Sequence, residues 1–181
     1  LVVEYIDKQR ILCAVVLEVK QQRLRLLTEN SREVSLAPSR LSHQSAERLD
    51  LAIGRDRVVD MLKRFAARRD ALTQGIDIRE LWEVLNSEQE WIDLETMTAF
   101  CFPETTTSDH ESAVIRAFFG NRRYFKFNSE GFFPHSERHV EQLIARENEE
   151  ARRQQLIRNG SDWLRHALAE PGGMVVAGNG N

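Results

Sequence analysis

The run Arg122-Arg-Tyr-Phe-Lys-Phe127 sets three cations and a phenol ring on one short stretch of chain. Cations draw phosphate, and a flat ring offers a face on which a base can stack; single-stranded nucleic acid is held by these two kinds of group. Arg122, Arg123, Tyr124 and Lys126 are therefore the candidate binding residues, with Arg116 upstream as a further cation. The competing reading is a solvated hairpin edge whose charges guard against aggregation.

Catalytic signatures are weaker. Asp7, Asp50, Asp56, Asp60, Asp70, Asp77, Asp93, Asp109 and Asp162 are scattered, with no close cluster. His135 and His139 are four apart, but no third ligand is evident and the Glu placement of a zinc-protease helix is missing. The glycines read as punctuation, so no phosphate loop is expected. No Ser, His and Asp are placed together as a triad. Cys13 and Cys101 lie in apolar surroundings far apart and read as free buried thiols. Trp82, Trp91 and Trp163 fall among apolar residues and read as core anchors.

The elements around the basic run follow from pattern. Ser108-Asp-His-Glu111 fits a capping box. Ala113, Val114, Ala117 and Phe118 form the apolar face of the helix it opens. Gly120 fits a left-handed stop for that helix. Residues 122–127 then alternate as a half-buried strand, Asn128-Ser-Glu-Gly131 turns, and Phe132-Phe133 starts the return strand. Helix plus hairpin is the layout of a winged helix. Asp77 and Asp93 read as caps of two preceding short helices, so residues 76–135 make a winged-helix-like domain.

Upstream, Leu1–Ile6, Ile11–Lys20, Arg23–Thr28 and Arg32–Leu36 are β-rich runs between polar turns. Short strands of this kind bury a face by curling, which predicts a small SH3-like or OB-like β-barrel over residues 1–45. An amphipathic helix after Gly54 connects the two over residues 46–75, with Val58, Val59, Met61, Leu62, Phe65 and Leu72 inward and Arg55, Arg57, Lys63, Arg64, Arg68 and Arg69 outward. That arginine face has two readings, a wall of an RNA path and, favoured, a solubilising face with Asp56 and Asp60 as local partners. Residues 136–170 form a C-terminal helical arm, broken at Gly160 and recapped by Ser161, and 171–181 form a flexible tail. The fold class is α+β.

Charged residues make up 29 % of the 181, and no apolar run reaches the ~20 residues that span a bilayer, so no membrane partner and a cytoplasmic location are expected. Residue 1 is Leu rather than Met, which reads as the cut end of a longer chain. The net charge of −3 argues against a uniformly basic surface. Its distribution matters more: residues 76–107 hold eight Asp/Glu against one Lys/Arg, and the rest is mildly basic. The acidic block repels RNA, and is expected to face away from its path or to meet a basic partner.

Taken in order, the opening barrel, Glu80-Leu-Trp-Glu-Val-Leu85, Ala113-Val-Ile-Arg-Ala-Phe118, Arg123-Tyr-Phe-Lys-Phe127, Gly131-Phe-Phe-Pro134 and Glu137-Arg-His-Val-Glu-Gln-Leu143 resemble the N-terminal region of ribonuclease II-like exoribonucleases. The resemblance covers the chain to about Leu168. It implies an RNA-binding region, for single strands, ahead of a downstream catalytic domain that degrades RNA from the 3′ end with magnesium. That aspartate-rich centre has no counterpart here, so this chain alone is expected to have no nuclease activity and no cofactor.

Two other readings remain. One is a winged-helix DNA-binding regulator, disfavoured by Asp109 and Glu111 at the end of the helix that would read bases. The other is a protein-interaction module.

Overall fold

A computed structural model describes residues 1–128 and 131–169. Five strands make one antiparallel sheet: β1 (Val2–Asp7), β2 (Arg10–Lys20), β3 (Arg23–Thr28), β4 (Glu33–Leu36) and β5 (Leu41–Gln44). Their order is β4-β3-β2-β1-β5, so consecutive strands pair as a meander and β5 returns to the free side of β1. A 3₁₀ turn, Pro38–Arg40, carries the chain across. The turns fall at polar residues that accept positive φ, Lys8, Gln21 and Ser31. β2 bends where its register with β3 slips between Val16 and Glu18.

Alternation along the strands divides the sheet into two apolar faces. One gathers Val3, Tyr5, Ala14, Leu24 and Leu26, with Leu36 of β4 and Leu41 of β5. The other, with Val2, Cys13, Val15 and Leu27, receives Val58, Val59, Leu62 and Ala66 from α1 (Arg55–Thr73). The expected closure into a barrel is not what the pairing gives. The sheet is open, with β4 and β5 as its edges.

Three shorter helices follow: α2 (Ile78–Leu85), α3 (Leu94–Cys101) and α4 (Ser108–Gly120). Asp77 and Asp93 cap the first two, accepting from the backbone N–H of Glu80 and Thr96. The hairpin β6 (Phe125–Asn128) and β7 (Gly131–Pro134) comes next. Ile92, between α2 and α3, adds a bridge to the outer side of β7, exchanging both backbone hydrogen bonds with Phe132. Gly131 is obligatory at this approach: its φ is +127°, and a Cβ there would stand 2.2 Å from the Ile92 carbonyl oxygen. Phe118 of α4 meets Phe125 and Phe132 edge-on, with ring centroids 5.1 and 4.6 Å away.

Residues Leu1–Glu137 form one compact unit and Arg138–Asn181 a second. The boundaries expected at 45 and 75 fall inside the first unit, where α1 packs on the sheet and the Arg69 and Arg116 ion pairs tie in α4. α5 (Glu137–Ala169) runs 33 residues without a break and passes through Gly160, where a stop was expected. The expected tail, 171–181, lies outside the described residues. Among the described residues, no helix is long and apolar enough to cross a membrane.

Candidate nucleic-acid interface

Two groups of cations in the first unit bear on the expected site. One group is buried at the junction of the sheet, α1 and α4. Glu4 of β1 and Arg69 of α1 are both fully buried and meet at 2.9 Å. Arg69 also donates through Nε to Asp109 at 2.7 Å. Its Nη2 faces Glu47 Oε2 at 3.7 Å. Arg68 adds a second pair to Asp109 and one to Glu47. Arg116 donates to Glu4 and to Asp70, each at 2.6 Å, and Ser112 donates to the other oxygen of Glu4. Burial alone would raise the Glu4 carboxyl, but Arg116 and Arg69 hold it below its ordinary value. Beside it, burial and then the Glu4 charge push the Cys13 thiol up to about 12, so it stays protonated and unreactive.

This cluster corrects four expectations. Arg116, expected to meet RNA from an open face, is turned inward: its side chain is 8 % exposed and pairs with two carboxylates. Arg69 is not on a solvated face. Ser108 and Glu111 do not form a capping box; the cap residue is Thr107, while Ser108 Oγ accepts from the Ala46 N–H and Glu111 meets the buried His43 at 3.0 Å. Gly120 stays helical, and Asn121 is the cap.

The second group stands on the hairpin. Arg122 is exposed, its guanidinium 5.1 Å from the centre of the Phe119 ring. Lys126 is exposed, with its ammonium 5.3 Å above the Trp91 indole. Trp91 is 37 % exposed and lies against Phe133 at 5.4 Å. Lys126 and Phe133 are cross-strand partners, which fixes the cation beside both rings. Arg123 is half-buried, 6.0 Å from the Tyr124 ring.

Tyr124 is the fifth correction. It is buried, its ring 5.4 Å from Trp82, and Trp82 in turn donates to the His135 carbonyl at 2.6 Å. It anchors the hairpin to α2 and offers no free face to a base. The ring exposed beside the hairpin is Trp91, with the half-buried Phe133 against it, and sequence reasoning missed it by reading Trp91 as core. Signals existed for both. Trp91 follows Glu-Gln-Glu, with only Ile92 apolar beside it. In Phe132-Phe133 the pleat sends neighbours to opposite faces, so only one of the two can be core.

A cleft of about 450 Å³ opens beside Arg122, walled by Leu41, Ile115 and Phe127 and rimmed by Ser42, Asp93 and Asn128. The buried Ser42 hydroxyl oxygen has no hydrogen-bond partner. Apolar walls with a carboxylate at the rim suit a neutral ring better than a phosphate.

Five of the aspartates are engaged in helix caps and ion pairs. Asp50, Asp77 and Asp93 accept from helix N-terminal N–H groups, and Asp70 and Asp109 pair with Arg116 and Arg69. Among the described residues, no group of three or more His, Cys, Asp or Glu side chains converges for a metal ion. Compared with protein families, curated proteins and solved structures, the chain matches none.

Proposed function

We propose that this chain binds single-stranded RNA through its hairpin, as the N-terminal region of a ribonuclease II-like 3′–5′ exoribonuclease, and delivers the strand to a catalytic domain elsewhere in the parent protein. The observation that carries the reading is the exposed set Lys126, Trp91 and Arg122, with the half-buried Phe133 behind the indole. A base stacks on the indole, and Lys126, on a flexible stem, swings from that face to the adjacent phosphate. Arg122 holds a neighbouring phosphate, and the cleft beside it takes an unstacked base. Magnesium and bond cleavage belong to the other domain.

The order α2, Ile92 bridge, α3, α4, β6, β7 supports a winged helix with β6–β7 as its wing. The open five-stranded meander, in which β5 returns beside β1 after a 3₁₀ turn, supports an SH3-like module upstream. A single strand is favoured over duplex DNA because the helix a winged-helix regulator would insert in the major groove is α4. Its first turn is tied down through Ser108, Asp109 and Glu111, and two of those groups are carboxylates.

Fluorescence anisotropy with a labelled single-stranded RNA and a labelled DNA duplex tests the reading. Tighter binding to the RNA, weakening steeply with salt, is expected. Preference for the duplex would overturn it.

A further inference from the structure

The helices α2 and α3 leave an apolar groove on the surface, independent of the RNA reading. Leu81 and Val84 of α2 and Phe100 of α3 line it, with Ile76 at one end. Val84 is 72 % exposed and Phe100 50 %. Large apolar side chains left open side by side mark an interaction surface more often than an isolated one does. Asp77 and Glu80 line the same groove. Helix α2 and its cap carry Asp77, Glu80 and Glu83, and the one cation there, Arg79, is held by Glu83 at 2.8 Å.

We propose that this groove docks a basic amphipathic helix of a partner protein. Each property of the groove selects against other ligands. Its negative field repels nucleic acid and acidic peptides. Its apolar floor has little to offer a merely hydrated basic segment. A helix with aliphatic anchors on one face and arginines or lysines beside them satisfies both, laying anchors one and two turns apart along the channel. Phe100 and Val84 supply the contact area, and Glu80 and Asp77 fix the sign of the partner.

The test uses the whole chain and a labelled peptide with Leu at i, i+4 and i+7 and Arg on its flanks, beside a peptide with Glu in place of Arg. The Arg peptide is expected to bind and the Glu peptide not. Phe100→Asp is the decisive variant: it adds negative charge while removing an anchor, and is expected to weaken binding at least tenfold. Glu80→Lys weakens it similarly, and Val84→Lys, at an exposed position, does so without risk to the fold. Trp91→Ala leaves it unchanged. Equal or tighter binding to Phe100→Asp would reduce the groove to a diffuse acidic field and overturn the proposal. So would equal binding of the two peptides. A dimer of the chain in sedimentation that Phe100→Asp dissolves would assign the groove to a second copy instead.

Discussion

The arginines at the sheet–helix junction and the cations on the hairpin are chemically the same groups put to opposite uses. Arg69 and Arg116 point at Glu4, Asp70 and Asp109, and their charge is used up inside the protein. Arg122 and Lys126 point at the Phe119 and Trp91 rings, which leave the charge largely intact. A cation is available to a polyanion only where its nearest neighbour is not a carboxylate. Position in the sequence says little about this: Arg116 and Arg122 are six residues apart and belong to different classes.

Substitutions that separate the two groups sharpen the contrast. The largest effect is expected at Arg69. Arg69→Ala removes the fully buried cation that Glu4 and Asp109 share, leaving them only Arg116 and Arg68, and should cost about 3–5 kcal/mol in urea unfolding. A loss under about 1 kcal/mol would mean that the junction does not hold the sheet to α1 and α4.

The same junction responds to acid. The folded Glu4 carboxyl lies below its ordinary value of 4.5, so its contribution is full above that value and is lost as pH falls through the folded value. Glu29, raised chiefly by burial, works in the opposite sense: its contribution is present at low pH and is lost as pH rises through its folded value. Stability measured against pH should therefore fall at the acid end less steeply in Glu4→Gln than in the native chain.

Next in size is Trp91→Ala, which should weaken single-stranded RNA by about 1–3 kcal/mol, the worth of one stacked base, while leaving thermal unfolding nearly unchanged. Tyr124→Ala should do the reverse, lowering stability through the lost Trp82 contact. If Tyr124→Ala instead cut affinity with the fold intact, the assignment of the two rings would be inverted. The smallest effects are expected from Lys126→Ala and Arg122→Ala. Each should flatten the salt dependence of RNA affinity by about 0.7 in log–log slope, as for one lost phosphate contact. Arg116→Lys, which keeps a cation, should leave the slope unchanged.

What could be read from the sequence was whatever depends on neighbours along the chain. The β1–β4 runs show their β-rich composition between polar turns, and the Asp77 and Asp93 caps sit directly before apolar helical patterns. Strand β5, Leu-Ser-His-Gln, has one apolar residue and no such signal; pairing with β1 makes it a strand. Arg69 looked like one more member of an arginine face because its partners Glu4 and Asp109 lie 65 and 40 residues away. Ser108-Asp-His-Glu111 has the letters of a capping box, but Ala46, Arg69 and His43 compete for three of its side chains and win. Of the candidate site, the cations Arg122 and Lys126 were legible from type and spacing. The exposure of Trp91 had a local signal in Glu-Gln-Glu before it, but its place beside Lys126 did not, because the Ile92–Phe132 bridge joins segments distant in sequence.

The most direct measurement is photocrosslinking of the chain to a 4-thiouridine-containing single-stranded RNA, with the modified residues located by mass spectrometry. Adducts at Trp91 and within residues 122–133, lost on competition with unlabelled RNA, are the predicted result. Adducts confined to the exposed arginines of α1, or none at any salt concentration, would contradict the account.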